Sequence, residues 1–415
     1  MEALTADSDD HALRADLLLR RARLALDVSD YASALDTARA VDAMIGPATE
    51  GAARAQQVDA ALIRARAHFL RSHTDACERE LASALALCRE AGLDNPQAKI
   101  LEQQGTLSWS VGDFAAAREK LEAALLLARD IGDLRAEWSI LNNAGVVATE
   151  ERAFVRAAGL FADARAIVAR IGHRAAEAWL LINEGDAGYE AGDYVLSRDC
   201  ARQALAIGID IAERQIQAIS SGNLGETLIE VGDHALARQH VVGAFALASE
   251  IGFRRGECAC REWMSRIDLA CGHPAEALSG AEAGVTLARE LKLRGREGSL
   301  LIREARALTA LGRQAEALTA GEAARALASE LGSPALAVQA DAARAEALLA
   351  RQGPGDIALA LRLSLPVAEI TDQSDVGRTP LEYPLWTNLT MIRAMLAAGD
   401  PRAPCLLYTS DAADE

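Results

Sequence analysis

Glycine recurs every 40 residues along this chain, at Gly105, Gly145, Gly185 and Gly225. The same step reaches Ala65, Ser265, Ala305 and Ala345, so all eight positions are small. Twelve residues after each comes a second small column: Cys77, Ala117, Ala157, Ser197, Ala237, Ala277 and Ala317. Seven further on stands a third: Ala84, Ala124, Ala164, Ala204, Ala244, Gly284 and Ala324. A fixed period of this length marks a repeat architecture, in which each unit buries its apolar face on its neighbours. Small residues in register mean close approach, because antiparallel helices joined by a short turn pack tightly only where a side chain is nearly absent. The turns are visible at Gly112-Asp113, Gly192-Asp193, Gly232-Asp233, Gly272-His273 and Gly312-Arg313. Glycine there ends the first helix, and a following Asp caps the second. A large apolar column (Ile100, Ile140, Leu180, Leu300, with Ala60, Ser220 and Cys260 as smaller members) supplies the core between them.

Composition agrees with helices throughout. Apolar residues make up 51% of the 415, yet aromatics only 4%, which suits an interior of small aliphatic side chains. No run alternates Val, Ile, Thr and aromatic residues between turns, so strands are not expected. The length would allow several domains, but the composition is uniform. A formal charge of −17 excludes a broad basic footprint for nucleic acid. The basic residues are three lysines (Lys99, Lys120, Lys292) and otherwise arginine, a skew that reads as genome composition. Met1–Asp10 carries four acids and no apolar stretch, so no signal peptide is expected. No apolar run approaches the roughly 20 residues of a membrane span. Seven cysteines without disulfide-like spacing fit a reducing cytoplasm.

The columns and the Gly-Asp turns resemble the tetratricopeptide repeat (TPR) family, whose small positions in both helices fall on these residues. The period exceeds the family's usual length of about 34, as in the longer-helix variety of bacterial signalling proteins. The resemblance implies an all-α, right-handed α-solenoid of about nine to ten helical hairpins over residues 15–404, first helices on the concave surface. Residues 1–14 are expected to be disordered or a truncated helix. An irregular first repeat lies around Ala22 and Ala34, a ninth around Ala345 and Ala360 with Gly353-Pro354-Gly355 inserted, and a tenth begins at Trp386. The segment Trp386–Arg402 is similar to the closing repeats of large bacterial signal-transduction ATPases, often joined to a nucleotide cyclase or transcription-activator domain. Residues 405–415 (CLLYTSDAADE) resemble a translated transposase adapter from sequencing libraries and are expected to be a non-native tail.

Catalytic signatures are missing from the sequence: no phosphate-binding Gly-rich loop, His-Glu-x-x-His, Gly-x-Ser-x-Gly or dinucleotide fingerprint occurs. Neither an enzyme in its own right nor a cofactor is expected. Cys258, Cys260, Cys271 and His273 are the nearest approach to a metal set. Residues two apart on a helix point about 200° apart, so ordinary core cysteines are the better reading. Cys260 falls in the apolar column, and Cys271 in a column with Val111, Ala191, Val231 and Leu311.

The concave face carries the binding candidates. Asn143, Asn183 and Asn223 recur two residues before the glycines. The TPR resemblance places that column on the groove, where asparagine amides hold a bound peptide's backbone; an amide donates and accepts at once. Glu150, Glu190 and Glu230 stand seven residues later on the same helical face, joined by Asp186 and Glu226. Arg266, Arg303 and Arg306 occupy equivalent positions farther along, so the charge changes sign, and such a groove orients a peptide partner. Phe69, Trp109 and Tyr189 project toward the same face by register, as anchors for an apolar side chain. The structural alternative is that the asparagines bond neighbouring helices, the glutamates form a solvated face and the aromatics pack between hairpins. The family's chaperone-binding carboxylate clamp is not reproduced, since Glu102 with Thr106, or Ile182 with Asp186, stand where it needs lysine and asparagine.

These readings converge on a cytoplasmic scaffold or sensor region of a larger bacterial signalling protein. Its partner would be a peptide, another protein or a further domain of its own chain, with no direct nucleic-acid or membrane contact. The alternatives are the autoinhibitory arm of an ATPase-linked nucleotide cyclase and a stand-alone peptide receptor.

Overall fold

The computed structural model describes residues 11–27, 30–46, 52–71, 73–372 and 385–400, and every regular element among them is a helix. The chain divides into two compact units, residues 1–187 and 188–415. In the first unit α1 (His11–Asp27), α3 (Ala52–Leu70), α5 (Asp94–Ser110) and α7 (Leu134–Glu150) are first helices. Each packs antiparallel on its successor: α2 (Tyr31–Ile45), α4 (Thr74–Ala91), α6 (Phe114–Ile131) and α8 (Phe154–Ile171). The division falls inside α9 (Arg174–Glu190). In the second unit α10 (Tyr194–Asp210) packs on α11 (Arg214–Glu230). The hairpin partners of α11, α13 (Arg254–Ala270), α15 (Arg294–Ala310) and α17 (Pro334–Arg351) are α12 (His234–Glu250), α14 (Pro274–Glu290), α16 (Gln314–Glu330) and α18 (Asp356–Asp372). The last helix, α19 (Leu385–Ala397), packs on α17 and α18. Within each unit the first helices also touch one another, α1 to α3 to α5 to α7 and α11 to α13 to α15 to α17, and so form a layer of their own.

All three small columns are buried between helices, as their spacing predicts, and so are Ile100, Ile140, Leu180 and Leu300. The turns follow the sequence equally closely. Gly112, Gly192 and Gly232 adopt positive φ, and Asp113, Asp193 and Asp233 behind them accept the backbone N–H groups of Ala116, Leu196 and Leu236. Each such cap stabilises its helix by about 1 kcal/mol. The insertion Gly353-Pro354-Gly355 is closed by Asp356, which accepts from the Gly353 N–H at 2.7 Å and from Arg351.

One column departs from expectation. Val111, Val231, Cys271 and Leu311 are exposed rather than core, because each is the C-cap residue at the last turn before a left-handed glycine. Cys258 and Cys260 are buried, and burial pushes both thiols up, Cys260 to about 12. No group of His, Cys, Asp and Glu suited to a metal occurs among the described residues, and no described helix is long and apolar enough to cross a membrane. The tail 405–415 and residues 1–10 lie outside the described residues.

Candidate functional site

In the first unit the asparagine column links one first helix to the next. Asn143 on α7 donates to Glu102 Oε1 on α5 at 2.9 Å, and Ser139 donates to the same oxygen at 2.5 Å. Asn183 on α9 repeats the relationship, donating to Asn142 Oδ1 at 2.8 Å. Two of the three amides expected to face a ligand thus hold neighbouring helices together, the structural alternative for this column. Burial raises the Glu102 carboxyl, an effect that the Ser139 hydrogen bond opposes. Glu150 and Asp186 are exposed; Trp109 packs half-buried against the Leu121–Ile140 core, and Phe69 against the core around Leu81, 5.5 Å beneath the Arg66 guanidinium.

In the second unit the first-helix layer carries a ladder of charges. Arg266 on α13 pairs with Glu226 at 3.1 Å and with Glu230, both on α11. The Tyr189 hydroxyl donates to Glu230 at 2.8 Å, and its ring meets Tyr194 edge-on at 5.7 Å. Arg296 on α15 reaches back to Glu262 on α13 at 2.6 Å and lies over the Trp263 ring. Arg306, also on α15, reaches forward to Glu346 on α17 at 3.0 Å, and its guanidinium stacks 4.1 Å from the centroid of Trp386. Charges expected to form separate acidic and basic stretches are therefore paired with each other: Glu226 and Glu230 share Arg266, and Arg306 is matched by Glu346. Glu190 is exposed and Asn223 half-buried in this unit.

The ladder is recessed without being closed. The side chains of Arg266, Glu226, Glu230, Arg306 and Glu346 keep between 16% and 26% of their surface. Burial raises the Glu226 carboxyl in spite of Arg266, and raises the Tyr189 phenol strongly. Burial works against the Arg266 charge, but Tyr189, Glu226 and Glu230 more than offset it and hold that guanidinium firmly protonated. Arg303 stands apart. It is 6% exposed, its Nε finds no hydrogen-bond partner, and burial reinforced by Arg266 lowers it to about 10.

Glu262, Trp263, Arg296 and Glu346 stand outside the sequence-derived groove set, and Trp386 enters the sequence reading only as the start of a repeat. The 40-residue step could have found part of the set: the column 186, 226, 266, 306, 346 reads Asp, Glu, Arg, Arg, Glu.

No protein-family model matches the chain, and no curated protein matches it. Solved structures share its fold. The apo quorum sensor NprR from B. thuringiensis is 12% identical with a TM-score of 0.61, covering 79% of this chain and 90% of that one. NprR in complex with its cognate peptide NprX is 13% identical with a TM-score of 0.50, covering 90% and 98%. A signal-transduction ATPase with a tetratricopeptide repeat sensor, PH0952 from Pyrococcus horikoshii, is 13% identical with a TM-score of 0.54, covering 85% of this chain and 52% of that one. At these identities the likeness is one of fold: an all-helical stack of the tetratricopeptide type.

Proposed function

We propose that the chain is a peptide- or protein-binding sensor, not an enzyme, and that the first-helix layer of its second unit is the binding face. The observation that carries the reading is the recessed ladder from Tyr189 to Trp386. It combines partly exposed charge pairs with aromatic rings, the mixture that recognises polar peptide groups and anchors apolar ones. Two proteins of this fold give the reading its direction, since the NprR complex holds its cognate peptide and PH0952 uses its repeats as a sensor. The sensor acts in the cytoplasm and passes binding to an output domain, attached or separate, through small changes between successive hairpins.

The test is capture of peptides from a mixed-sequence octapeptide pool on the immobilised full-length chain, identified by mass spectrometry. A defined subset should be retained, and Arg306→Glu should release it by setting a like charge against Glu346. Retention no greater than on heat-unfolded chain would sink the proposal. An autoinhibitory arm of a nucleotide cyclase is the second reading, motivated by the sensor role that such repeats have in PH0952. It requires that adding the chain in trans lower the turnover of the cyclase it regulates.

A further inference from the structure

We infer that Arg303 is the docking point for a ligand carboxylate, received between Arg266 and Arg306 on the first-helix layer of the second unit. The inference rests on the peptide-sensor reading above and narrows it to peptides that present a carboxylate there.

Three observations converge. First, Arg303 is a buried guanidinium that no hydrogen bond or ion pair reaches among the described residues, and its Nε is orphaned. Arg64 in the first unit shows what burial of an arginine normally demands: at 8% exposure it is held by Asp42 at 2.6 Å and Glu80 at 2.9 Å. A buried charge without such partners costs stability, so its retention calls for a reason. Second, the flanking arginines turn away from it. Arg266 faces back to Glu226 and Glu230, and Arg306 forward to Glu346, so no carboxylate of the ladder contacts the group between them. Glu262, whose charge acts on Arg303 from a distance, is itself taken by Arg296. Third, a second buried donor without an acceptor, Nε1 of Trp386, lies beside Arg306. Arg303 thus keeps an unmet donor within electrostatic reach of two further guanidinium groups, and its planar fork suits a carboxylate held by two parallel hydrogen bonds. Entry requires the side chains of Arg266 and Arg306 to part, a rotamer change of the kind common on binding.

The carboxylate can come from an Asp or Glu side chain or from a peptide C-terminus, and three acetylated tripeptides separate these sources. Ala-Glu-Ala amide carries only the side-chain group, Ala-Ala-Ala acid only the terminal one, and Ala-Ala-Ala amide neither. Thermal unfolding of the full chain is followed with each at about 10 mM and matched ionic strength. At least one of the carboxylates should raise the melting temperature by about 2 °C, and the amide should not. Arg303→Met should abolish the rise while melting no lower than the parent without ligand. Arg303→Gln serves as a second variant that keeps hydrogen-bonding capacity and loses the charge, and it too should lose the response. No shift with either carboxylate, or an equal shift in both variants, would overturn the inference. Should the carboxylates act through Arg303 while the octapeptide selection retains nothing, the anion site stands and the peptide-sensor reading falls. Should selected octapeptides bind Arg303→Met as tightly as the parent, this inference alone falls.

Discussion

Gly145 on α7 lies under the ring of Phe161 on α8, so close that a Cβ on the glycine would stand 2.5 Å from Cε1. The same offset of sixteen residues puts Gly105 against Leu121 and Gly225 against Val241, with equally little room. The ring has nowhere to retreat, since Phe161 is buried in the core of its hairpin. Gly145→Ala gains up to about 1 kcal/mol of helix propensity but overpacks this contact by roughly 1–3 kcal/mol. The net expectation is a loss of about 1 kcal/mol of stability, read as a lower urea midpoint. Adding Phe161→Leu should cost less in the Gly145→Ala background than alone, and strictly additive effects would show that the two residues do not interact.

Left-handed residues recur every 20 positions from 112 to 352, one for each turn between helices. Glycine fills most of them, but Arg152, Ala212, Lys292 and Gln352 hold φ between 54° and 57°. That conformation strains a side chain by roughly 1–2 kcal/mol, against a smaller entropic gain from keeping glycine out of the unfolded chain. Ala212→Gly and Lys292→Gly should each stabilise the protein by about 0.5–1 kcal/mol in chemical denaturation. Destabilisation by both would refute the strained geometry.

This difference between turns shows what the sequence makes legible. Where Gly-Asp follows a periodic stretch, the turn is written in the residues, because one supplies positive φ and the other caps. At Ala212 or Lys292 the neighbouring helices impose the same backbone on a residue with no preference for it. The site divides similarly. Register places Glu226, Arg266, Arg303 and Arg306 on one face, and that much follows from spacing. It does not say that Arg266 turns toward α11 and Arg306 toward α17, because each long side chain chooses among carboxylates on both flanking helices. Nor does it show that Asn143 spends its amide on Glu102, since the first helix of the preceding hairpin supplies the partner.

Glu102 gives the molecule a pH dependence with a definite sign. Burial raises its carboxyl above the ordinary 4.5, so the folded chain binds this proton more tightly than the unfolded one. A raised carboxyl contributes most below the unfolded value, and its contribution is lost as pH rises through the folded one. Glu102→Gln removes that loss. The variant should match the parent near pH 4, where both side chains are neutral and each offers one carbonyl oxygen to Ser139 and Asn143, and it should become the more stable of the two toward pH 8. Denaturant melts at four pH values would measure the difference, and a variant that loses ground to the parent as pH rises would contradict the assignment.

Arg266 and Arg303 sit on adjacent first helices, yet their removal should have opposite consequences. Arg266→Met leaves Glu226 and Glu230 recessed without their cation, and by the behaviour of broken ion pairs this costs about 2–4 kcal/mol, the lower part applying because these groups retain some solvent. Glu226→Gln in the same chain removes one stranded charge and should restore part of the loss. Arg303→Met strands nothing, for no carboxylate contacts that guanidinium among the described residues; a flexible apolar side chain of similar length fills its place, so stability should hold or rise. Urea midpoints of the three variants decide the matter. If Arg303→Met fell as far as Arg266→Met, Arg303 would have to be paired in solution, and the asymmetry of the ladder on which its role depends would be gone.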